Sequence, residues 1–417
     1  MSGQDAFVFI TGRAGTGKST LLRHFRDTHP AVPVLAPTGV AALNVEGETI
    51  HRFFRFSPGI TPRAARRKGT KAYEDNPLYK KLDTIIVDEI SMVRADLFDC
   101  MDGFLRGARR DKRPFGGVRI IAIGDMYQLP PVVTSQDREG FFSAYESAYF
   151  FSSGAFHDIR EEATVSYIEL DTVFRQTDEM FVGLLNGIRN RTINRQDLDK
   201  INLRVSYPVE DDETIILTTT NAASEEINQK RLRGLMTDEK IYIGRMKGSF
   251  SKFEVPTDTH LRLKIGARVM CMINDVSGRY VNGSLGVVRG FGDVFVTVEL
   301  DSGDIVDVVE HDWTVYRSTY DANEGHLDQE KLGSYTQIPL RLAWAVTIHK
   351  SQGKTFDSVI IDLGHGAFAA GQVYVALSRC RRLEGVTLIK PVTVSQIHLD
   401  PKIGEFMENI KYPRSLF

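Results

Sequence analysis

At 417 residues, with 42% hydrophobic and 25% charged side chains, the chain has the make-up of an ordinary globular protein large enough for two or three domains. A formal net charge of −2 neither announces nor excludes a nucleic-acid partner, since a large enzyme can confine its basic residues to one channel. Three scattered cysteines, Cys100, Cys271 and Cys380, argue against a disulfide framework or structural zinc, and the lack of a membrane-length apolar run or signal-peptide pattern reads as an intracellular, soluble chain.

The first 170 residues alternate β-branched runs with helical patterns, as in a parallel sheet wrapped by helices. AFVFIT leads into GRAGTGKST, which supplies strand, glycine-rich loop and helix in the order a phosphate cradle needs. Gly12, Gly15 and Gly17 let backbone N–H groups approach phosphate oxygens, and Thr16 and Thr20 belong to the same run. Lys18 can reach the β and γ phosphates, and Ser19 can ligate magnesium. After VPVLAP comes a stretch from 55 to 81 with eight basic and two acidic residues, which as a bare pattern reads as a solvated, mobile loop. DTIIVDE brings Asp88 and Glu89 to the carboxyl end of a strand, where a magnesium-anchoring acid and a water-activating base belong; a helix-capping turn is the plainer alternative. In SMVRADLFDCMDGFLRGARR, Leu97, Phe98, Met101, Phe104 and Leu105 share a helical face and read as core. VRIIAIG then ends in Gly124-Asp125 and Gln128, with Pro130-Pro131 fixing an extended path. Parallel strands end on one side, so Gln128 is expected beside the phosphate loop and Asp88, sensing the γ-phosphate and the attacking water through its amide. A turn-stabilising glutamine is the bland alternative. VSYIEL closes the block.

A second α/β block starts near Asp171, with a helix in DEMFVGLLNGIRN and the strand ETIILTTT. After an interruption it resumes with RLAWAVTI, SVIIDLG and GVTLIKP. Arg175 in TVFRQT and Arg379 in VYVALSRCRR are candidates to complete the nucleotide site from this block, or else to make local salt bridges. The interruption, roughly 266–335, contains the short strands ARVMCMI, SLGVVRGF, VFVTVEL and DIVDVVE between turns that include Asn282-Gly283, a hairpin signal. It reads as a small all-β barrel inserted into the second block. Two such blocks leave clefts, where ligands usually bind.

Taken in order, GRAGTGKST, APTGVAALNVEGETIHRFF, DEISM, GDMYQLPPV, VFRQ, AWAVTIHKSQGKTFDSV and GQVYVALSRCRRLEG resemble superfamily 1 DNA helicases of the PIF (petite integration frequency) type, cousins of RecD and phage Dda. The stretch 91–117 resembles the signature that separates this type from its cousins, and the resemblance covers nearly the whole chain. It implies an α/β fold of two RecA-like P-loop NTPase domains, 1–170 and 171–265 with 336–417. It also implies a small all-β, SH3-like barrel insertion at 266–335 and a strand-separating wedge at 55–81. By the same resemblance Lys18, Ser19, Asp88, Glu89, Gln128, Arg175 and Arg379 are ATP-site residues. Pro37, Thr38, Gly39, Thr49, His51 and Phe53 form the first domain's grip on single-stranded DNA, and Thr347, His349, Lys350 and Ser351 form the second's. Gln352 and Gly353 lie where the nucleotide and DNA sites communicate. The PTG and SQG turns offer hydroxyl and N–H groups for phosphate oxygens, and His51, Phe53 and His349 offer rings for stacking or sugar contacts.

The activity so implied is ATP- and Mg2+-dependent movement of a monomer from 5′ to 3′ along single-stranded DNA, unwinding tailed or forked duplexes. Its settings are DNA repair, recombination and telomere maintenance, with G-quadruplex DNA as a further substrate class, no membrane partner, and a cytoplasmic or nucleoid location in a bacterial or viral host. A translocase ATPase without effective unwinding stays open. A P-loop small-molecule kinase would leave the second set of phosphate-gripping turns unexplained, and a passive single-strand-binding protein would leave Lys18, Asp88, Glu89 and both arginines unexplained. One departure concerns the base. The family's upstream helix with an adenine-reading glutamine has no counterpart in MSGQDA, and Gln4 lies too close to Gly12 for that role, so selectivity for adenine is left open. The chain reads as close to a bare motor core.

Overall fold

Six strands, β1 (Phe7–Gly12), β2 (Val34–Ala36), β3 (Glu48–Thr49), β4 (Thr84–Val87), β5 (Arg119–Ile123) and β6 (Val165–Leu170), form one sheet in the order β3-β2-β4-β5-β1-β6. Every neighbouring pair is parallel. They belong to a computed structural model that describes residues 6–57, 59–134, 136–162, 164–206, 214–248, 255–321, 326–364, 366 and 369–411; Gln4 lies outside the described residues. The chain divides into two units, Met1–Phe174 with Val315–Leu332 and Asp400–Phe417, and Arg175–Thr314 with Gly333–Leu399.

Strand alternation explains the first unit's core. On one face Val8, Ile10, Ile86, Ile121 and Ile123 pack with Leu22 and Val45. On the other, Phe7 and Phe9 enter an aromatic cluster with Phe98, Phe150 and Phe156. Phe406, from the helix Pro401–Lys411, stacks on Phe151 and packs against Phe9 in the same cluster.

Helices of this unit include α1 (Lys18–Thr28), α2 (Gly39–Asn44), α3 (Ile50–Phe53), α4 (Pro62–Asp75), α5 (Leu78–Lys81) and α6 (Ala95–Arg109). Of the two readings left open for 55–81, a mobile loop and a strand-separating excursion, the loop does not fit 62–75, which form α4. Thr61 caps it by accepting from the Ala64 N–H at 3.3 Å, and Pro62 occupies its first position, where the missing N–H costs nothing. The helix is seated on α6 through glycines. A side chain at Gly69 would come within 2.0 Å of the Phe104 carbonyl oxygen, one at Gly107 within 2.7 Å of the Arg66 carbonyl, and one at Gly103 within 3.2 Å of the Pro62 carbonyl. Arg63, Arg66, Arg67 and Lys71 remain exposed.

The stretch 91–117 is built as a scaffold. Phe98, Met101, Phe104 and Leu105 are buried as their spacing predicts, with Leu97 half-buried. Asp102 accepts from the Phe115 N–H at 2.7 Å and pairs with Arg106, which also reaches Asp158. Arg109 donates to the carbonyls of Tyr79, Lys80, Leu82 and Gly116, tying α5 to the end of the stretch.

In the chain beyond Phe174, β7 (Ile215–Thr218) is followed, among the described residues, by ten strands before the parallel sheet resumes. They are β8 (Glu239–Ile243), β9 (Arg245–Gly248), β10 (His260–Lys264), β11 (Arg268–Cys271), β12 (Leu285–Phe291), β13 (Phe295–Leu300), β14 (Ile305–Val309), β15 (His311–Asp321), β16 (His326–Gln337) and β17 (Leu340–Leu342). Then β18 (Ala345–Thr347), β19 (Val359–Asp362) and β20 (Val386–Leu388) join β7 in a parallel sheet ordered β18-β7-β19-β20. The fold is thus mixed α/β with parallel sheets.

Three local readings change. Antiparallel pairing begins at Glu239 with β8 against β10, not at 266. Tyr242, Leu261 and Leu263 share one core with Val269, Val288, Val298 and Leu340 of the sheet β14-β13-β12-β11-β17. RLAWAVTI is two strands: Leu340–Leu342 pairs with β11, and Ala345–Thr347 pairs with β7. Asn282-Gly283 does form a turn, closed by Ser284 N–H to the Val281 carbonyl with Gly283 at φ 102, but inside a longer loop and not as a two-residue hairpin.

Candidate functional site

All strands of the first sheet run one way, so their carboxyl ends share an edge. Past β1, Gly15 and Gly17 take φ values of 82° and 84°, the left-handed region open to glycine. Gly17 leads into α1, which no side chain caps among the described residues, so the positive end of the helix faces the loop. Lys18 Nζ folds back onto the carbonyls of Gly12 at 2.7 Å and Arg13 at 2.9 Å, and Thr16 Oγ1 also donates to Arg13 at 2.9 Å. Ser19 and Thr20 are exposed on the first turn of the helix. Gly12 is closely hemmed in, since a side chain there would come within 2.6 Å of Thr16 Oγ1 and of the Leu170 carbonyl.

At the end of β4 stands Asp88, 9% exposed, whose carboxyl is pushed up to about 6 by burial, against the opposing pull of the Glu89 N–H and the Lys18 charge. Glu89 is half-buried and left-handed, at φ 50° and ψ 45°, an unfavourable conformation for a residue with a side chain. At the end of β5, Gly124 N–H bonds the Ile10 carbonyl, holding the turn against β1. Gln128 is buried there; its N–H donates to the Asp125 carbonyl at 3.0 Å and its Nε2 to Asp125 Oδ2 at 3.3 Å. Asp125 therefore holds this amide, in addition to the prolines that follow. Among the described residues no group of three or more His, Cys, Asp or Glu side chains forms a metal cage. One buried carboxylate, Asp88, and the exposed Ser19 that follows Lys18 instead suit magnesium, which takes few protein ligands and keeps water and phosphate oxygens.

Further along the same edge, β2 releases Pro37-Thr38-Gly39 and β3 ends at Thr49. Thr38 Oγ1 accepts from the Ala41 N–H and Thr49 Oγ1 from the Arg52 N–H, each at 3.2 Å, so both threonines cap short helices. Thr38 is exposed and His51 is half-buried, burial holding its imidazole below the usual histidine range. Phe53 departs from expectation. It is 3% exposed, edge-on to Phe54 and Tyr79, and its carbonyl accepts from the Tyr79 hydroxyl at 2.7 Å, so it is core and offers no stacking face.

In the second unit the turn after β18 is bonded to itself. Thr347 Oγ1 accepts from the Lys350 N–H at 3.2 Å, and Ser351, fully buried, donates from its hydroxyl to the Ile348 carbonyl at 2.8 Å. Those two hydroxyls are inward, while Lys350 is exposed and His349 half-buried, the latter's imidazole lowered by burial. Gln352 is half-buried, and Gly353, at φ 79°, is exposed. Lys354 reaches Asn282, its ammonium lowered to about 8 by burial and the Arg341 charge.

Arg379 is not extended into solvent. It is 1% exposed, donating to the carbonyls of Val375 at 2.9 Å, Ser351 at 3.3 Å and Lys354 at 3.4 Å and to Ser378 Oγ at 2.9 Å. Arg175 is half-buried and donates to the Ser378 carbonyl at 3.3 Å, burial lowering its guanidinium.

Three neighbours of the expected site were not singled out from sequence. Phe174 is 72% exposed, yet its N–H bonds the Gly15 carbonyl at 2.9 Å and its ring lies 3.9 Å from where a Gly17 side chain would start. Its position next to Arg175 was the available signal. Asp125 orients Gln128, and Gln176 is buried behind the two arginines; for both, the partner lies too far along the chain, or too dependent on the turn, for spacing to show it.

A family model described as PIF1-like helicase matches residues 1–199. The human protein named ATP-dependent DNA helicase PIF1 is 34% identical over 98% of this chain and 62% of its own length, so the chain spans about three fifths of that relative. The Bdellovibrio bacteriovorus protein named ATP-dependent DNA helicase Pif1 is 33% identical over 97% of this chain and 88% of its own. Among solved structures, Bacteroides Pif1 in complex with ADP-AlF4 is 36% identical with a TM-score of 0.86, covering 98% of this chain and 94% of that one. The same helicase bound to ssDNA is 37% identical with a TM-score of 0.69, covering 97% and 94%.

Proposed function

The chain belongs to the PIF1-like helicase family, and from that premise we propose that it is an ATP-dependent DNA helicase moving 5′ to 3′ on single-stranded DNA and separating duplex strands. The observation that carries the reading is the single carboxyl edge on which the phosphate loop, Asp88, Glu89 and Gln128 stand beside the Pro37–Gly39 and Thr49–His51 segments.

The loop from Gly12 to Gly17, the α1 N-terminus and Lys18 cradle the ATP phosphates, with Thr16 and Thr20 in the same run. Lys18 leaves its loop carbonyls for phosphate oxygens when nucleotide enters. Ser19 and Asp88 would hold Mg2+, whose positive charge would favour the ionised form of the Asp88 carboxyl. Glu89 takes the proton of the attacking water, and Gln128 exchanges Asp125 for the γ-phosphate. Arg175 and Arg379 act on the γ-phosphate, and Gln352-Gly353 relay the nucleotide state to the DNA grip. Phe174, beside the loop, is the stacking face for the base, an interaction that accepts any nucleobase.

Thr38, Gly39, His51, His349 and Lys350 present donors and rings to single-stranded DNA. The exposed basic face of α4 serves as the strand-separating wedge. The antiparallel region is read as an SH3-like barrel interrupting the second RecA-like domain. The protein acts as a monomer on tailed and forked duplexes and on G-quadruplex DNA, in repair, recombination and telomere maintenance. ATP hydrolysis measured with and without single-stranded DNA, followed by unwinding of duplexes carrying a 5′ or a 3′ tail, tests the reading. Strong stimulation and unwinding from the 5′ tail are expected. Unwinding from the 3′ tail alone would reverse the polarity, and stimulation without unwinding from either tail would leave a translocase.

A further inference from the structure

Gln176 follows Arg175 directly, is 4% exposed, and donates from Nε2 to the carbonyls of Ser378 and Cys380, both at 3.0 Å. Those are the carbonyls of the residues on either side of Arg379. An amide nitrogen carries two hydrogens, so one buried group grips the backbone before and after that arginine with its full donor capacity. Arg175 Nη1 shares the Ser378 carbonyl, so two arginines distant in sequence meet on a peptide that Gln176 holds. The same backbone is held from other directions, Arg379 N–H donating to the Ala376 carbonyl at 3.2 Å and Phe356 N–H to the Arg379 carbonyl at 2.9 Å.

Elsewhere, buried glutamine is a poor space-filler, because an unmet amide is costly and an apolar side chain of the same size packs as well. Here its bonds go to the two peptide oxygens that set where the Arg379 side chain starts.

We propose that Gln176 is a positioning residue that aligns Arg175 and Arg379 for the terminal phosphate of the bound nucleotide. It contacts no substrate and acts through the arginines, so the proposal rests on their assignment above. Gln176→Leu keeps the volume and removes both donors. Gln176→Glu puts a carboxylate against two carbonyl oxygens when ionised and restores one donor when protonated.

The test uses the full chain, with kcat and KM for ATP at saturating single-stranded DNA and ADP affinity measured in parallel. Gln176→Leu should lower kcat about 10- to 100-fold, the cost of misplacing groups around the reacting centre, with ADP affinity nearly unchanged. Combined with Arg379→Ala it should cost less than it costs in the parent chain, because only Arg175 is then left to misplace and residues acting as one unit are not additive. The deficit of Gln176→Glu relative to the parent chain should shrink as pH falls from 8 to 6. A kcat within twofold of the parent for Gln176→Leu, or losses that multiply with Arg379→Ala, would overturn the proposal. If Gln176→Leu does not bind ADP and so has not folded, the pH trend of Gln176→Glu decides, a flat ratio counting against it. Failure of the underlying reading looks different: either the parent chain shows no DNA-stimulated hydrolysis, or Arg379→Ala hydrolyses ATP normally.

Discussion

At the carboxyl edge of the first sheet an uncapped helix, a lysine lying on its own loop and a buried carboxylate surround one point. At the corresponding turn of the second unit, two hydroxyls and a guanidinium are bonded inward to their own backbone. A helix terminus and a carboxylate fixed around a ligand position need little reorganisation when charge develops there, which favours catalysis, and on this edge Lys18 has two loop carbonyls to give up. A guanidinium with four acceptors of its own must give some of them up before it can act elsewhere. If Arg379 acts on the nucleotide as proposed, its choice between the Ser351–Lys354 turn and a phosphate would be a two-state equilibrium that nucleotide biases. On the proposed function, the first edge would bind and cleave and the second would respond.

The strongest test of that contrast is on the first side. Glu89→Gln should lower kcat by roughly two to four orders of magnitude while ATP and DNA still bind, since the metal charge is kept and proton acceptance is lost. Near-normal turnover would remove Glu89 from the mechanism. On the second side, Lys350 and Ser351 are neighbours with opposite exposure. Lys350→Ala should weaken DNA binding and make the log–log salt dependence shallower by about 0.7, one phosphate contact on a single strand. Ser351→Ala should leave that slope alone and cost about 1 kcal/mol of stability, read as a lower Tm. A flattened salt slope in Ser351→Ala would mean that its hydroxyl comes out to DNA, and the two edges would then differ less than their present bonding suggests.

The smallest effect concerns pH. Because burial raises the Asp88 carboxyl from 3.8 to about 6, the folded chain retains a proton that the unfolded chain releases over that interval. Stability from this group is complete below pH 4 and declines as pH rises towards 6. Asp88→Asn should remove that decline and raise Tm at pH 7.5 by roughly 2–4 °C. In the parent chain, Mg2+-ATP affinity should fall as pH drops through about 6. A pH-independent affinity over that range would take Asp88 out of the metal site.

The phosphate loop and its carboxylate strand were legible because each is a short local pattern with few conformational solutions. β3 was not, since two residues carry no periodicity. α4 was hidden behind SPGITP, although Thr61 and Pro62 are a cap and a first-turn proline that mark a helix start. The early onset of antiparallel pairing at Glu239 was masked because both strands are half-buried: Leu261 and Leu263 alternate with His260, Arg262 and Lys264, and Tyr242 is buried between exposed Ile241 and Ile243. The resemblance pointed to Phe53, and a place after an apolar stretch to Arg379, without revealing their direction: the first turns into the core and the second onto a distant turn, and both outcomes depend on tertiary contacts.

The glycine seat between α4 and α6 has a mechanical consequence. Where two helices touch through side chains, a push on one is partly absorbed as rotamers shift; here the backbones at Gly69 and Gly107 meet with no such layer between them. A load on the basic outer face of α4 passes directly into α6, and from α6 through Asp102, Arg106 and Arg109 into the stretch that braces β5. The pair behaves as a stiff strut, and a single added methyl group at Gly69 would act as a shim that tilts it.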